Sequence, residues 1–214
     1  MSVEAWLLAA GTHLVLCVVP GPAVVFVLGE SMTRGLRGAV HGTAGVVLAN
    51  AAYFCVAAGG LGALLIASPP LFAAARWFGA GYLTYVGVQT FRASRFGTDL
   101  VEPTTAQRQG ARSVLRGFGV QLANPKAPIF FLVFLPGLLD ASASFVWQVV
   151  VVGVPLFVIQ AVTLIGYAFT AEGVVNWLGH TRARVAVGRV AGALLVAFGC
   201  ILAALTRISQ WGTT

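Results

Sequence analysis

The sequence predicts an all-α membrane protein in which six transmembrane helices form two inverted three-helix repeats, with helices 1 and 4 broken by proline. Three observations support this fold: the composition suits a chain covered by lipid, six apolar segments are long enough to cross a bilayer, and a proline cluster interrupts one segment in each half. Of the 214 residues, 58% are hydrophobic and 9% are charged. A soluble domain is about 45–50% apolar and about 25% charged, so this chain lacks the polar residues for a water-exposed surface.

The number of helices follows from segment length. A segment needs about 20 apolar residues to cross about 30 Å of hydrocarbon. Six segments meet this length, and they run over 5–31, 39–66, 71–91, 114–139, 145–170 and 186–206. We therefore treat 1–214 as a single transmembrane domain, made of repeat 1 (about 1–91), a polar cytoplasmic loop (about 92–113) and repeat 2 (about 114–214).

The formal net charge of +7 is carried by twelve arginines and one lysine. Ten of the arginines fall in the connections between helices 1 and 2, 3 and 4, and 5 and 6. These ten are Arg34, Arg37, Arg92, Arg95, Arg108, Arg112, Arg116, Arg182, Arg184 and Arg189. By the positive-inside rule we expect these connections in the cytoplasm and both termini outside it, in a bacterial plasma (inner) membrane. Because membrane orientation accounts for the basic residues, no nucleic-acid partner is predicted.

Two proline clusters stand about half a chain length apart. Pro20-Gly21-Pro22 interrupts helix 1, and Asn124-Pro125-Lys126-Ala127-Pro128 interrupts helix 4. With three helices in each half, the second half must enter the membrane from the opposite face. This pattern is typical of inverted-topology repeats, as found in secondary transporters.

The proline clusters have two interpretations. They are either kinks that only shape packing, or discontinuous helices that meet at a binding site, since lipid cannot satisfy the backbone groups that a break frees. In the second case, helix N-termini offer N–H groups to an anion, and helix C-termini offer carbonyls to a cation or an ammonium group. A zwitterionic amino acid carries both charges and matches both kinds of helix end.

Lys126 is the most informative single residue. An ionisable side chain near the middle of a membrane segment costs about 2.5–3.5 kcal/mol on insertion scales, so it should face the interior of the bundle. We expect its partner to be a substrate carboxylate or an internal acid; a purely structural ion pair is the alternative. The amides of Gln121, Asn124 and Asn50 either hydrogen-bond a substrate or cap and join the helices.

Two further polar residues have open roles. His13, in the outer half of helix 1, is either a proton carrier or a buried neutral histidine. Glu30, near the cytoplasmic interface, either gates the protein or only pairs with Arg34 or Arg37. No metal-ligand spacing, phosphate-binding loop or pair of midplane acids is present in the sequence, so we predict a protein that is not an enzyme and has no cofactor or metal.

Glycines and cysteines are interpreted as packing residues. The small-xxx-small spacing of certain glycines lets helices approach closely. These glycines are Gly38, Gly42, Gly45, Gly188 and Gly192. The three cysteines all lie in apolar stretches, which is atypical of a disulfide framework. They are Cys17, Cys55 and Cys200.

The ordered motifs resemble the LysE/RhtB family of bacterial amino-acid exporters along nearly the whole chain. The resemblance rests on Pro20-Gly21-Pro22 and on the segments GLRGAVHGTAG (35–45), WFGAGYLTYVGVQTFR (77–92), QLANPKAPIFFLVFLP (121–136), IGYAFTA (165–171) and VGRVAGALLVAFG (187–199). It implies a helix bundle that exports amino acids or their derivatives, is driven by the proton-motive force and often forms a homodimer. It also implies functional roles for Pro20, Gly21, Pro22, Asn124, Pro125 and Lys126.

One departure from the family pattern bears on the substrate. Some members carry an acidic residue in the fifth helix where this chain has Gln160. The resemblance therefore favours neutral substrates, such as homoserine, threonine or leucine, with protons as the coupling ion. The predicted substrate-binding residues are Pro20, Gly21, Pro22, Asn50, Gln121, Asn124, Pro125 and Lys126.

Two other functions remain open at the sequence level. A membrane thiol–disulfide relay would need a redox cysteine in each half, but only Cys17 stands close to a proline break and helix 4 contains no cysteine. Efflux of a small ion would need several carboxylates within the membrane, and this chain has few.

Overall fold

The computed structural model describes residues 2–59, 68–95, 106–139, 143–178 and 180–211, and every regular element in these ranges is helical. The main helices are α1 (Val3–Val18), α2 (Pro22–Ala58), α3 (Pro69–Arg95), α4 (Ala106–Leu122), α5 (Lys126–Pro128), α6 (Phe145–Gln148), α7 (Val154–Leu178) and α8 (His180–Trp211). Helix α5 continues through a π-helical stretch, Ile129–Phe134, into a 3₁₀ turn, Leu135–Gly137. A second π-helical stretch, Val149–Gly153, joins α6 to α7.

Local sequence explains both ends of α1. The Ser2 hydroxyl accepts a hydrogen bond from the Ala5 amide at 3.2 Å, as an N-cap does. The helix ends at Val18 because the residue before a proline is restricted to extended backbone, and Val19 has ψ 120°. After an extended Gly21, the chain becomes helical again with Pro22 in the first position of α2. A proline is favourable there, since the first helical N–H has no partner within the helix.

Helix α2 is a hairpin. Gly35 has φ 67° and ψ −173°, a conformation that essentially only glycine adopts. A Cβ on Gly42 would lie 2.9 Å from the ring of Phe26. In a straight helix these two positions would be about 24 Å apart, so the chain must reverse at Gly35. The arms 22–34 and 36–58 therefore pack against each other, and the turn falls between predicted segments 5–31 and 39–66.

The core forms around α2. This helix packs against α4, α7 and α8, while α3 packs along α8 and α1 packs on α7. Close approach depends on glycine: a Cβ on Gly45 would lie 2.8 Å from the Phe118 amide nitrogen of α4. Between α3 and α8, a Cβ on Gly87 would lie 2.7 Å from the Gly192 carbonyl oxygen. The packing role predicted for Gly42, Gly45 and Gly192 is thus confirmed.

The outer faces of the helices are apolar. Large side chains such as Leu7, Phe78, Val150, Val162 and Ile201 are more than half exposed. Lipid would cover such a surface, whereas water would leave an apolar patch larger than soluble proteins carry. The prediction of an all-helical protein with membrane-spanning helices is supported by these faces.

Within the described ranges, three helical stretches are long and apolar enough, by length and composition alone, to cross a membrane: Pro22–Ala58, which reverses at Gly35, Phe145–Gly173 and Val185–Ala204. The bent pair Gln109–Leu122 and Lys126–Gly137, with an angle of 64° between its parts, would be a fourth if it forms one span. The six-helix inverted repeat with two proline-broken helices remains a prediction. Residues 60–66 of the second predicted segment and 96–105 of the predicted loop lie outside the described residues.

Candidate functional site

The side chain of Lys126 crosses from α5 to the end of α1. Its Nζ donates hydrogen bonds to the carbonyl oxygens of Leu16 at 2.8 Å and Val19 at 2.7 Å. The last carbonyls of a helix have no partner within the helix and carry its negative dipole end. An ammonium group is therefore well placed there, and the interaction joins the two proline clusters. The expected internal acid is not its partner.

A second group also reaches the end of α1. The Tyr167 hydroxyl of α7 donates to the Val18 carbonyl at 2.5 Å. Together, Tyr167 and Lys126 satisfy carbonyls that lipid could not. Tyr167 was not among the site residues predicted from the sequence. Its place beside Gly166 in a family motif was a signal, but only the fold shows that it meets α1.

Gly21 makes room for the lysine. A Cβ at this position would lie 2.9 Å from Lys126 Cε and 3.0 Å from Nζ. Its backbone is extended, with φ −158°, so close approach rather than an unusual conformation explains the glycine. In this way the glycine of Pro20-Gly21-Pro22 is directly connected with the lysine of the other cluster.

Asn124 organises the turn between α4 and α5. Its Oδ1 accepts from the Lys126 backbone N–H at 3.2 Å, and its Nδ2 donates to Gln121 Oε1 at 3.0 Å. An asparagine that bonds the backbone two residues later forms an Asx-turn. The side chain is 3% exposed. Asn124 thus fixes the direction in which Lys126 leaves the turn.

A chain of buried side chains continues from Asn124 across the protein. Gln121 Nε2 donates to Asn50 Oδ1 at 2.6 Å, and Asn50 Nδ2 donates to Gln160 Oε1 at 3.4 Å. The thiol of Cys17 donates to the same Gln160 oxygen at 3.2 Å. The chain therefore connects α1, α2, α4 and α7. A buried network with satisfied members holds the helices in one arrangement.

A small cavity lies beside these groups, with a volume of about 30 Å³. Its polar lining consists of His13, Cys17, Gln121, Asn124, Lys126 and Gln160, and its other walls are alanine, valine, leucine and phenylalanine. A cavity of this volume holds a water molecule or two but no amino acid. In the conformation described, the cavity is therefore too small for an amino acid.

His13 is the polar group in this cavity without a hydrogen-bond partner. Its side chain is 4% exposed, and neither ring nitrogen has a partner within strict hydrogen-bond geometry, although the backbone of Leu156 lies close enough to act as a weak hydrogen-bond partner. The ring packs against Phe130 and Phe131, at centroid distances of 4.7 and 5.6 Å. Buried polar groups nearly always have partners. A ligand or a water could therefore supply the partner that these nitrogens lack.

The predicted binding residues take different positions around the cavity. Gln121, Asn124 and Lys126 line it. Gly21 and Asn50 contact these residues rather than the cavity. The three prolines, Pro20, Pro22 and Pro125, do not line the cavity, and they shape the helix ends instead. Gln160 was not predicted as a site residue, because its position was considered only for the acid that it lacks.

A second buried cluster lies at the arginine-rich end of the protein. Glu30 is 3% exposed and is hydrogen-bonded to Arg34, which lies in the same helix. The Ser113 hydroxyl of α4 donates to Glu30 at 2.5 Å, and Arg116 lies 3.8 Å from the carboxylate. Arg116 in turn donates to Gln89 of α3. Glu30 therefore pairs with Arg34, one of the two partners expected, and ties α2 to α3 and α4.

A lipid-facing helical bundle with polar groups buried where helices are interrupted defines a class, the membrane transport proteins. The comparison with known families agrees: residues 14–206 match the family described as LysE type translocator. The chain belongs to the LysE family, and the resemblance noted in its motifs is confirmed.

Curated relatives cover nearly the whole chain. A homoserine/homoserine lactone efflux protein of Salmonella typhimurium is 29% identical, over 95% of this chain and 98% of the relative. A leucine efflux protein of Salmonella choleraesuis is 30% identical, over 87% of this chain and 89% of the relative. An uncharacterized membrane protein of Pseudomonas aeruginosa is 33% identical, over 94% and 95%. No solved structure matches the chain.

Proposed function

We propose that the protein is a secondary transporter that exports neutral amino acids or their derivatives, of homoserine, threonine or leucine type, from the cytoplasm by proton antiport. The observation that carries this proposal is the polar cavity in which Lys126 reaches the carbonyls at the end of α1. Two relatives are named for homoserine/homoserine lactone efflux and for leucine efflux, and these names favour the same substrate class.

The lining of the cavity suits a zwitterion with an uncharged side chain. The carbonyls of Leu16 and Val19 accept hydrogen bonds from a cation, and amide groups and His13 can donate to a carboxylate. Phe130 and Phe131 offer an apolar wall. Among the described residues, no aspartate or glutamate lines the cavity, so a cationic side chain would find no counter-charge there.

The proposed binding set divides into two roles. Gln121, Asn124 and Lys126 contact the substrate, and Asn50 and Gly21 position them. Pro20, Pro22 and Pro125 interrupt the helices of the two repeats, so that polar backbone groups face the cavity instead of lipid. Since the cavity is too small for an amino acid, export requires an opening motion of the helices around it.

We also place the protein in the bacterial inner membrane with the arginine-rich end in the cytoplasm and both termini outside. The homodimer implied by the family is part of this proposal. Measuring the mass of the purified protein in detergent by light scattering tests it, and a monomeric mass would contradict it.

Export is tested in cells that accumulate an amino acid. Cells fed a leucine- or threonine-containing dipeptide should release the free amino acid faster when they make this protein, and Lys126→Ala should abolish the gain. Cys55→Ala changes an exposed residue of α2 and serves as the matched control. Equal efflux from cells with and without the protein, across homoserine, threonine, leucine and lysine, would refute the exporter function.

A thiol–disulfide relay is not favoured. Cys17 is buried and hydrogen-bonded to Gln160, while the other two cysteines are exposed on α2 and α8. A cysteine-free variant that exports normally would exclude the relay, whereas loss of export together with a trapped mixed disulfide at Cys17 would support it.

A further inference from the structure

We propose that Lys126 couples export to proton entry because its side-chain ammonium occupies the place that the ammonium group of a substrate takes. This inference rests on the proposed export function and assigns the coupling step to a particular atom, Lys126 Nζ. In the conformation described, the lysine ammonium thus fills the position of a substrate ammonium group.

The contacts of Nζ are those of a bound amine. It donates to the carbonyl of Leu16 in the last turn of α1 at 2.8 Å and to that of Val19, directly after the helix, at 2.7 Å, and no carboxylate lines the cavity among the described residues. Gly21, on the other side of the amine, has no side chain that would keep it away from these carbonyls. A structural ion pair would need an acid, and a residue that only binds carboxylate would not need helix carbonyls.

Substrate and lysine compete for the same carbonyls. The cavity of about 30 Å³ has no room for an amino acid while the lysine fills its present position. If the displaced lysine kept its proton, the site would hold a zwitterion and an additional positive charge with no carboxylate of the protein beside them. Lys126 is half-buried, and a charge without a partner is costly where water reaches it only in part, so the lysine loses its proton instead.

The carboxylate of the substrate has other partners. Neither nitrogen of His13 has a partner within strict hydrogen-bond geometry, and the ring lines the cavity beside the amides of Asn124 and Gln160. A neutral imidazole offers one N–H donor to a carboxylate. The negative end of the substrate therefore does not need the lysine.

The transport cycle then balances. On the cytoplasmic side, the substrate ammonium binds the carbonyls, and Lys126 Nζ gives a proton to water that leaves to the cytoplasm. On the outer side the substrate leaves, and Nζ takes a proton from external water and returns to the carbonyls. The empty carrier resets only with this cation in place, because the carbonyls would otherwise be buried without a donor. Each cycle moves an amino acid out and a proton in.

Other titratable groups face the same site. His13 and Cys17 line the cavity from α1, and Tyr167 of α7 bonds the adjacent Val18 carbonyl. Among the described residues, the elements α2, α4 and α5 contribute only neutral groups and Lys126 itself to the lining. A pH effect must therefore be assigned to the lysine by a direct measurement.

The chain contains a single lysine, which makes that measurement possible. In purified protein labelled with ¹³C- and ¹⁵N-lysine, the side chain gives one NMR signal whose Cε shift differs between ammonium and amine. Saturating leucine or homoserine should move this signal from the ammonium to the amine position at constant pH. A signal that stays at the ammonium position when the amino acid is bound would overturn the proposal.

Linkage supplies a second measurement on the unmodified protein. If binding releases a proton, affinity for leucine rises by up to about tenfold per pH unit while the free lysine is charged. Binding in a weakly buffered solution with a pH-indicator dye should acidify the medium. Affinity that is independent of pH, with no acidification, would contradict the coupling role.

Two variants separate the coupling role from simple binding in proteoliposomes. Lys126→Met resembles the deprotonated lysine, so export driven by a pH gradient should fall at least tenfold more than leucine–leucine exchange. Lys126→Arg cannot release its proton and should lose both. Exchange that survives in Lys126→Arg but not in Lys126→Met would mean that the residue only binds carboxylate.

The wild-type protein separates the coupling from the export function. Wild-type exchange without proton movement refutes the coupling alone, whereas wild-type protein that moves neither amino acid nor protons refutes the export function itself.

Discussion

Gly21 stands where the Lys126 side chain passes from α5 to α1, and its missing Cβ has a testable consequence. Gly21→Ala would push the side chain off at least one carbonyl, since the new methyl group would lie 2.9 Å from Cε. A hydrogen bond to a charged group contributes about 1.5–3 kcal/mol, so export should fall by about tenfold or more.

The control for this change is Gly11→Ala in α1, where a Cβ would have no atom within 4 Å. That variant should export like the wild type. Both are measured as initial efflux rates at equal protein levels in the membrane. Undiminished export by Gly21→Ala would show that the close approach to Lys126 has no functional weight.

The buried amides predict a coupled response. Gln121→Leu leaves Asn50 Oδ1 and Asn124 Nδ2 without their partner, and each unsatisfied buried group costs about 1–3 kcal/mol. The further change Asn50→Leu removes one of the orphaned groups. The double variant should therefore be less destabilised than the sum of the two single variants, by about 0.5–3 kcal/mol.

The free energy of unfolding in detergent, from denaturant titrations, checks this coupling. Export assays on the same variants show whether the network also serves transport. Additive losses would mean that the 2.6 Å bond between Gln121 and Asn50 contributes little.

At the scale of helices, glycine contacts hold α2 against α4. A methyl group on Gly45 would overlap the Val114 carbonyl and the Phe118 amide, which are backbone atoms that cannot move without separating the helices. Gly45→Ala should therefore lower the melting temperature, although alanine favours a helix by about 1 kcal/mol over glycine.

Gly81→Ala in α3 is the matched control, because nothing lies within 4 Å of its Cβ position. It should be neutral or slightly stabilising. Melting followed by circular dichroism in the same detergent compares the two. An equal effect of both substitutions would contradict the close packing of α2 on α4.

The Glu30 cluster joins three helices at the arginine-rich end. Glu30→Gln removes the charge that Arg34 and Arg116 share, and breaking a buried pair costs about 3–5 kcal/mol when both partners are fully buried. Because the arginine side chains are 24% and 26% exposed, we expect a smaller loss of about 1–3 kcal/mol. Thermal unfolding measures it against Glu4→Gln, which changes an exposed acid in the first turn of α1. A variant as stable as the wild type would show that the cluster does not fasten these helices.

For the whole molecule, the distribution of arginines predicts the orientation. An alkaline phosphatase fused after Thr214 should be active, because that enzyme folds only outside the cytoplasm, whereas a fusion after Asp99 in the predicted central loop should be inactive. The reverse pattern would place the arginine-rich end outside and contradict the positive-inside rule for this chain.

Some of the site was accessible from sequence because its physical signals are local. A lysine between prolines in an apolar segment is costly in lipid, so its inward direction could be inferred from Lys126 alone. A break in the helix at Asn124 could likewise be inferred from Pro125 and Pro128, which follow it. The polar break between segments 5–31 and 39–66 predicted a connection around Gly35. The backbone conformation of Gly35 explains why a glycine occupies the turn.

The hydrogen-bond partners of these residues could not be predicted from the sequence. An acid or a substrate was expected beside Lys126, but the side chain meets carbonyls 107 and 110 residues earlier in the chain. Tyr167 lies in a family motif, Cys17 lies near a proline break and Gln160 replaces an acid, but these local signals do not say which groups the three side chains meet. Their roles come from helices that are distant in sequence and meet only in the folded protein.

The sequence by itself determined the class of protein, since hydropathy and charge act on each segment independently of the others, and ordered motifs identify the LysE family. Only the tertiary structure decided which groups face each other: the lysine on the end of α1, the amide chain from Asn124 to Cys17, and a cavity closed to an amino acid. The physical reason is that a hydrogen bond depends on distances of about 3 Å between atoms, and helix packing sets these distances where sequence separation does not.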